Sequence, residues 1–172
     1  MTEVILVDRQ DRQLGTMEKM EAHRQGLLHR AVSVLLFNSR GELMLQRRAM
    51  GKYHSAGLWT NTCCSHPYPG ESAGEAARRR LREEMGIDTD LEFSHTFIYK
   101  TELGSGLTEH ELDHVFFGYY DGNPNPDPEE ADQWKFVPMP ELLADLSANP
   151  SRYTVWIRLI LQDSQFQPTV EA

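Results

Sequence analysis

The chain has 172 residues, 40% of them hydrophobic and 25% charged, which supports one buried core and excludes a mainly disordered chain. A net charge of −9 excludes general nucleic-acid binding, while leaving room for a local basic pocket that holds an anion. Apolar runs stay far below the ~18 residues of a membrane span, so no membrane partner is expected.

Residues 4–7 read as a short strand, followed by a polar stretch that holds Glu18, Lys19, His23 and His29. The opening MTEVILVDRQ has no basic stretch ahead of an apolar one, so no secretory leader is expected. Residues 31–37 and 43–47 are strand runs around the turn Asn38-Ser39-Arg40-Gly41, which predicts a hairpin. The segment 51–70 reads as a long irregular loop, a frequent seat of function. It contains the only cysteines, Cys63 and Cys64. Adjacent cysteines cannot staple distant segments, so reduced thiols in the cytoplasm are expected.

Ser72 and Glu75 form an S-x-x-E capping pattern ahead of a helix over 76–85, and Gly86 is its stop. Strands are expected over 91–100 and 111–120, joined by a loop with Gly104-Ser105-Gly106. The Pro-rich stretch 122–128 must be loop. A short strand over 134–137 and helices over 141–146 and 154–161 follow, the last capped by Thr154. The tail from Asp163 is expected to fray. This order predicts a single α/β (α+β) domain over 1–172, with an N-terminal extension of about 1–30 and a mixed sheet.

The helix reads GESAGEAARRRLREEMGI from Gly70 to Ile87. It resembles the Nudix box, G-x5-E-x7-R-E-U-x-E-E-x-G-U, with Glu71, Arg79, Leu81, Glu83, Glu84, Gly86 and Ile87 in register. Ser65 replaces the first Gly, and Arg80 replaces the first Glu of the R-E pair. Carboxylates a turn apart on one helix can hold the divalent cations that a diphosphate needs. Arg80 removes one of them, which disfavours hydrolysis and suits a grip on phosphate oxygens. An Arg80–Glu84 surface pair is the plainer alternative, although Arg N-terminal to Glu is its weaker order.

The loop Trp59-Thr60-Asn61-Thr62-Cys63-Cys64-Ser65-His66-Pro67 stands beside this degraded box, and Glu109-His110-Glu111 follows downstream. The combination resembles the type I isopentenyl-diphosphate delta-isomerases over about residues 4–160. The resemblance implies a Nudix-like mixed sheet sandwiched between helices. It implies one Mn2+ or Zn2+ held by His23, His29, His66, Glu109 and Glu111. Independently, residues two apart on a strand face the same side, so Glu109 and Glu111 can reach one ion. His54, His95, His110 and His114 match no such position.

By the same resemblance, Cys64 and Glu111 are the catalytic pair and Tyr99 hydrogen-bonds Glu111. Trp156 covers the hydrocarbon end of the substrate, and Lys19, Arg48, Lys52 and Arg80 hold its diphosphate. Glu84 binds the Mg2+ that arrives with the diphosphate, and Cys64 is counted with it among the metal-site residues. The implied reaction interconverts isopentenyl and dimethylallyl diphosphate through a carbocation-like intermediate, with Glu111 and Tyr99 on the protonating side and Cys64 on the other. A small-molecule substrate and a monomer or weak homodimer are expected. Two other readings stand beside it: a Nudix pyrophosphohydrolase of nucleoside diphosphate derivatives, and a non-catalytic metal-binding or thiol redox module built on Cys63-Cys64.

Overall fold

The computed structural model describes residues 2–168. They form one mixed sheet of nine strands with helices on both faces. Strands β1 (Glu3–Val7) and β2 (Gln13–Glu18) make an antiparallel hairpin, and the short helix α1 (Lys19–Gln25) leads into β3 (His29–Phe37). The polar stretch ahead of β3 is therefore structured. Its helix starts where the Glu18 side chain accepts from Glu21 N and stops at Gly26 in a left-handed conformation.

Strand β4 (Glu42–Arg48) follows the expected turn, but the hairpin opens at once: Phe37 and Leu43 are the one strand pair between β3 and β4. The segment between β5 (Trp59–Thr60) and β6 (Cys63–Ser65) is wedged there instead. Thr62 Oγ1 accepts from Leu36 N and donates to Met44 O, and Asn61 Nδ2 donates to Val34 O and Cys63 O. These side chains satisfy backbone groups that a closed hairpin would pair within itself. The expected irregular loop thus contains two short strands, with β6 antiparallel to β3 and β5 antiparallel to β4.

Helix α2 (Ala73–Met85) carries the capping box at Ser72 and Glu75 and ends on left-handed Gly86, as the sequence predicts. Strands β7 (Leu91–Gly104) and β8 (Leu107–Tyr119) form a long antiparallel pair, and β8 runs parallel to β3 along its length. Strand β9 (Ala131–Pro138) pairs with β4, before helices α3 (Met139–Ala148) and α4 (Val155–Gln162).

Alternation along β3 divides the core. Val32, Val34 and Leu36 pack with Cys63 against Ala76, Ala77, Leu81 and Met85 of α2. Leu35 and Phe37 pack on the other face with Leu43 and Leu45, beneath Leu142, Trp156, Ile157 and Ile160 of α3 and α4. The tail is held beyond Asp163 rather than loose: Gln165 Nε2 donates to Thr96 O at 3.0 Å, and the Phe166 ring meets Phe117 edge-on at 5.7 Å. The last residues of the expected frayed tail, 169–172, lie outside the described part.

Candidate active site

One face of the sheet carries the polar residues. In the parallel ladder His29 lies opposite Glu111 and Ser33 opposite Val115, while on the other flank of β3 Ser33 lies opposite Cys64. Residues two apart share a face, so Glu109, Glu111 and Asp113 of β8 project with His29 and Ser33 of β3. The contacts agree: Ser33 Oγ donates to Asp113 at 2.6 Å and lies 3.6 Å from Cys64 Sγ. Tyr99 of β7, opposite Glu111, sends its hydroxyl to both glutamates. Ser33, Cys64, Tyr99, Glu109 and Glu111 of this set line one partly open cavity.

His23, His29, His66 and Glu111 bring one ligand atom each within 4.8 Å of one another. His29 Nε2 is 3.0 Å and His66 Nε2 2.6 Å from the same Glu111 oxygen. His23 Nε2 is buried without a hydrogen-bond partner, while its Nδ1 meets Lys19 O at 2.7 Å. An unpaired buried nitrogen aimed at two imidazoles and a carboxylate fits a metal ion, because an ion satisfies all of them at once. Burial lowers the proton affinity of His66 to a pKa of about 4, and burial also lowers that of His23, so both are neutral ligands at pH 7. Burial opposes ionisation of Glu111, yet His66 and His29 outweigh it and hold this carboxyl well below its ordinary range. Glu109 is pushed well above its range by burial and by the Glu111 charge.

Glu109 belongs to a second group, with His23 and His54. His54 Nε2 lies 3.4 Å from Glu109 Oε2, and the His54 ring stands edge-on over Trp156 at 5.6 Å. His54, which matches no position of the family resemblance, thus lines the cavity. Its only signal was its position in the functional loop, three residues before Gly57.

The two cysteines face opposite ways, as alternation on β6 requires. Cys63 is fully buried under α2. Cys64 lines the cavity, its thiol donating to Asn61 Oδ1 at 3.1 Å. Burial and the nearby Asp113 push the Cys64 thiol far above its ordinary value, so it is protonated at neutral pH. Ser33 and Asp113 are not legible in the sequence because each belongs to an ordinary strand run, and Asn61 stands in the motif loop with no role of its own.

Lys19, Arg48, Lys52 and Arg80 converge on the same cavity, with Glu84 and Trp156. Arg48 stacks over Trp156 at 5.2 Å and Lys19 over Tyr53 at 4.6 Å. Burial, and then the charges of Lys52 and Arg80, lower the Lys19 ammonium from its usual value, the mark of a crowded cationic site. The Arg80–Glu84 pair that the sequence disfavoured does form, at 2.6 Å, between a half-buried Arg80 and a buried Glu84. Glu130, unforeseen, is 2.7 Å from Lys52 and 3.3 Å from Arg80, neutralising part of the cationic cluster.

Residues 27–157 match the NUDIX domain family. The chain is 56% identical to Isopentenyl-diphosphate Delta-isomerase 2 of Aromatoleum aromaticum, over 92% of this chain and 84% of that one. It is 48% identical to Isopentenyl-diphosphate Delta-isomerase of Serratia proteamaculans, over 93% and 89%. Among solved structures, the fold resembles DR0079 from Deinococcus radiodurans, with TM-score 0.76 and 21% identity over 91% of this chain and 96% of that one. It also resembles MutT protein from Methanosarcina mazei, with TM-score 0.59 and 24% identity over 68% and 81%.

Proposed function

The chain belongs to the isopentenyl-diphosphate Delta-isomerases and carries their NUDIX domain, and on that premise we propose how its residues interconvert isopentenyl diphosphate and dimethylallyl diphosphate. The observation that carries the proposal is one cavity lined by both kinds of group. Cys64 and the Glu111–Tyr99 pair come from strands on opposite flanks of β3, and four cationic side chains line the same cavity.

The cations anchor the diphosphate and so orient the remote alkene. One carrier adds a proton to the terminal methylene, leaving positive charge on the tertiary carbon. The other removes a proton from the neighbouring methylene, and no phosphate leaves. Cys64 is one carrier and Glu111, in contact with Tyr99, is the other. The reaction is reversible, so each is acid in one direction and base in the other. Trp156 offers an aromatic face to the cation, worth about 0.5–2 kcal/mol, and its burial with α4 keeps water from capturing it.

His23, His29, His66, Glu109 and Glu111 are the proposed ligands of one Mn2+ or Zn2+, which would supply positive charge beside clustered carboxylates. Glu84, beside Cys64, would hold the Mg2+ that enters with the diphosphate. No described helix is long and apolar enough to cross a membrane. A monomer or weak homodimer in the cytoplasm, with neither membrane nor nucleic acid as partner, completes the reading.

The test is turnover of isopentenyl diphosphate in deuterium oxide, followed by NMR. Deuterium in a methyl group of dimethylallyl diphosphate is expected. Phosphate release from nucleoside diphosphate derivatives, with no isomerised product, would overturn the reading in favour of a hydrolase.

A further inference from the structure

We propose that His54 is a further ligand of the metal ion, beyond the three histidines and two glutamates, and that it ties the loop bearing Lys52 to the metal. The inference rests on the metal-dependent reading of the site and extends it.

Three observations carry it. The first is stoichiometric. The two ligand groups, one with His29, His66 and Glu111 and the other with His54 and Glu109, share His23. The Nδ1 of His23 is engaged with Lys19 O, so this ring has a single lone pair to give, at Nε2, and holds one ion. An ion bound by both His23 and Glu109 lies within reach of His54, whose Nε2 is 3.4 Å from Glu109. Glu109 therefore cannot join the site without bringing His54 beside the ion.

The second is the tautomer. His23 and His29 each place Nδ1 against a backbone carbonyl, at 2.7 and 2.9 Å, which reserves Nε2 for the ion. His54 places Nδ1 3.1 Å from the Ser55 hydroxyl, which can accept from it as those carbonyls do, and turns Nε2 toward Glu109. Ser55 adopts φ +52°, a left-handed conformation uncommon for a residue other than glycine. Such local strain persists where the surroundings require it.

The third is ligand count. Four imidazoles and two carboxylates make six donors, the number that a Mn2+-like ion accepts. The two groups form separate clusters that share His23, so one ion bound by both draws their ligands together. Lys52, two residues from His54 and already lining the cavity, would then be held in place when the metal is bound.

The experiment is a crystal structure of the full chain loaded with Co2+, paired with Co2+ affinity by equilibrium dialysis. We expect anomalous density with His54 Nε2 at about 2.0–2.3 Å. His54→Gln should weaken affinity by at least the ~10-fold that losing even a ligand-orienting partner costs, while His110→Gln should leave it unchanged. An ion on His23, His29, His66 and the glutamates with His54 beyond 3 Å, and unchanged affinity in His54→Gln, would overturn the role of His54 alone. Absence of the ion from His23 would overturn both this inference and the metal reading beneath it.

Discussion

The Tyr99 hydroxyl donates to Glu109 Oε1 at 2.8 Å and makes a shorter contact with Glu111 Oε1. One donor thus serves two carboxylates that stand two residues apart on the same strand. Burial and the two glutamates hold the phenol well above its ordinary pKa, so it stays a donor at neutral pH. Tyr99→Phe leaves both carboxylates without that donor. We expect kcat to fall about 10- to 100-fold, toward the lower end of what a positioned proton-transfer group contributes. KM should change little, because the Tyr99 hydroxyl is engaged with the two glutamates rather than with the diphosphate. A loss confined to KM would show that Tyr99 acts on binding.

Cys63 and Cys64 separate by face. Cys64→Ala should cut turnover by about 10²- to 10⁴-fold, and Cys64→Ser should fail too, since a hydroxyl is a far weaker acid than a thiol. Cys63→Ala should keep most activity but lose about 1 kcal/mol of stability, as its sulfur fills space against α2. Because Cys64 is protonated in the free site, iodoacetamide should alkylate it more slowly than a free thiol at pH 8, and faster as pH rises. Normal turnover in Cys64→Ala with a dead Cys63→Ala would shift the catalytic register by one residue.

Arg80 is the departure from the Nudix box with the clearest consequence. Arg80→Glu sets an acid beside Glu83, Glu84 and Glu130, all now within ion-pair distance of the guanidinium. Binding of isopentenyl diphosphate, read by calorimetry, should weaken at least ~10-fold. Stability should also drop, by up to about 3 kcal/mol, since the buried Glu84 loses its partner. No hydrolysis should appear. Unchanged substrate affinity in a folded variant would remove Arg80 from the diphosphate site.

Metal binding should release a proton, and its source should be Glu109. Burial and the Glu111 charge raise the Glu109 carboxyl well above its ordinary range, so in the metal-free protein it keeps its proton to higher pH than an ordinary carboxyl does. His23 and His66 are already neutral there and have no proton to give. A cation favours the carboxylate, so affinity should rise with pH below the free-site pKa of Glu109. Calorimetry in buffers of different ionisation enthalpy should show proton release on metal binding that disappears in Glu109→Gln. Release that persists in Glu109→Gln would place the proton elsewhere.

Local and periodic signals were legible before any fold was known. The S-x-x-E cap, the Gly86 stop and Thr154 as a cap all act within one helical turn, and all three form. The spacing of Glu109 and Glu111 gave their shared face, because strand periodicity is local too. The choice of Cys64 over Cys63 came instead from the family resemblance, by its spacing to His66, and alternation on β6 puts Cys64 in the cavity and Cys63 in the core.

What the sequence by itself determined is therefore the chemistry at short range: which residues cap helix α2, which side chains share a strand face, and which residue types stand in a motif. Only the tertiary structure decided that β3 and β4 splay around Asn61 and Thr62, that Glu130 pairs with Lys52, and that His54 faces Glu109. Each of these joins residues dozens of positions apart, except the turn from which β3 and β4 diverge. Their partners are chosen by how the sheet folds over the loop, where several strands compete for the same backbone groups, and no local preference encodes the outcome of that competition.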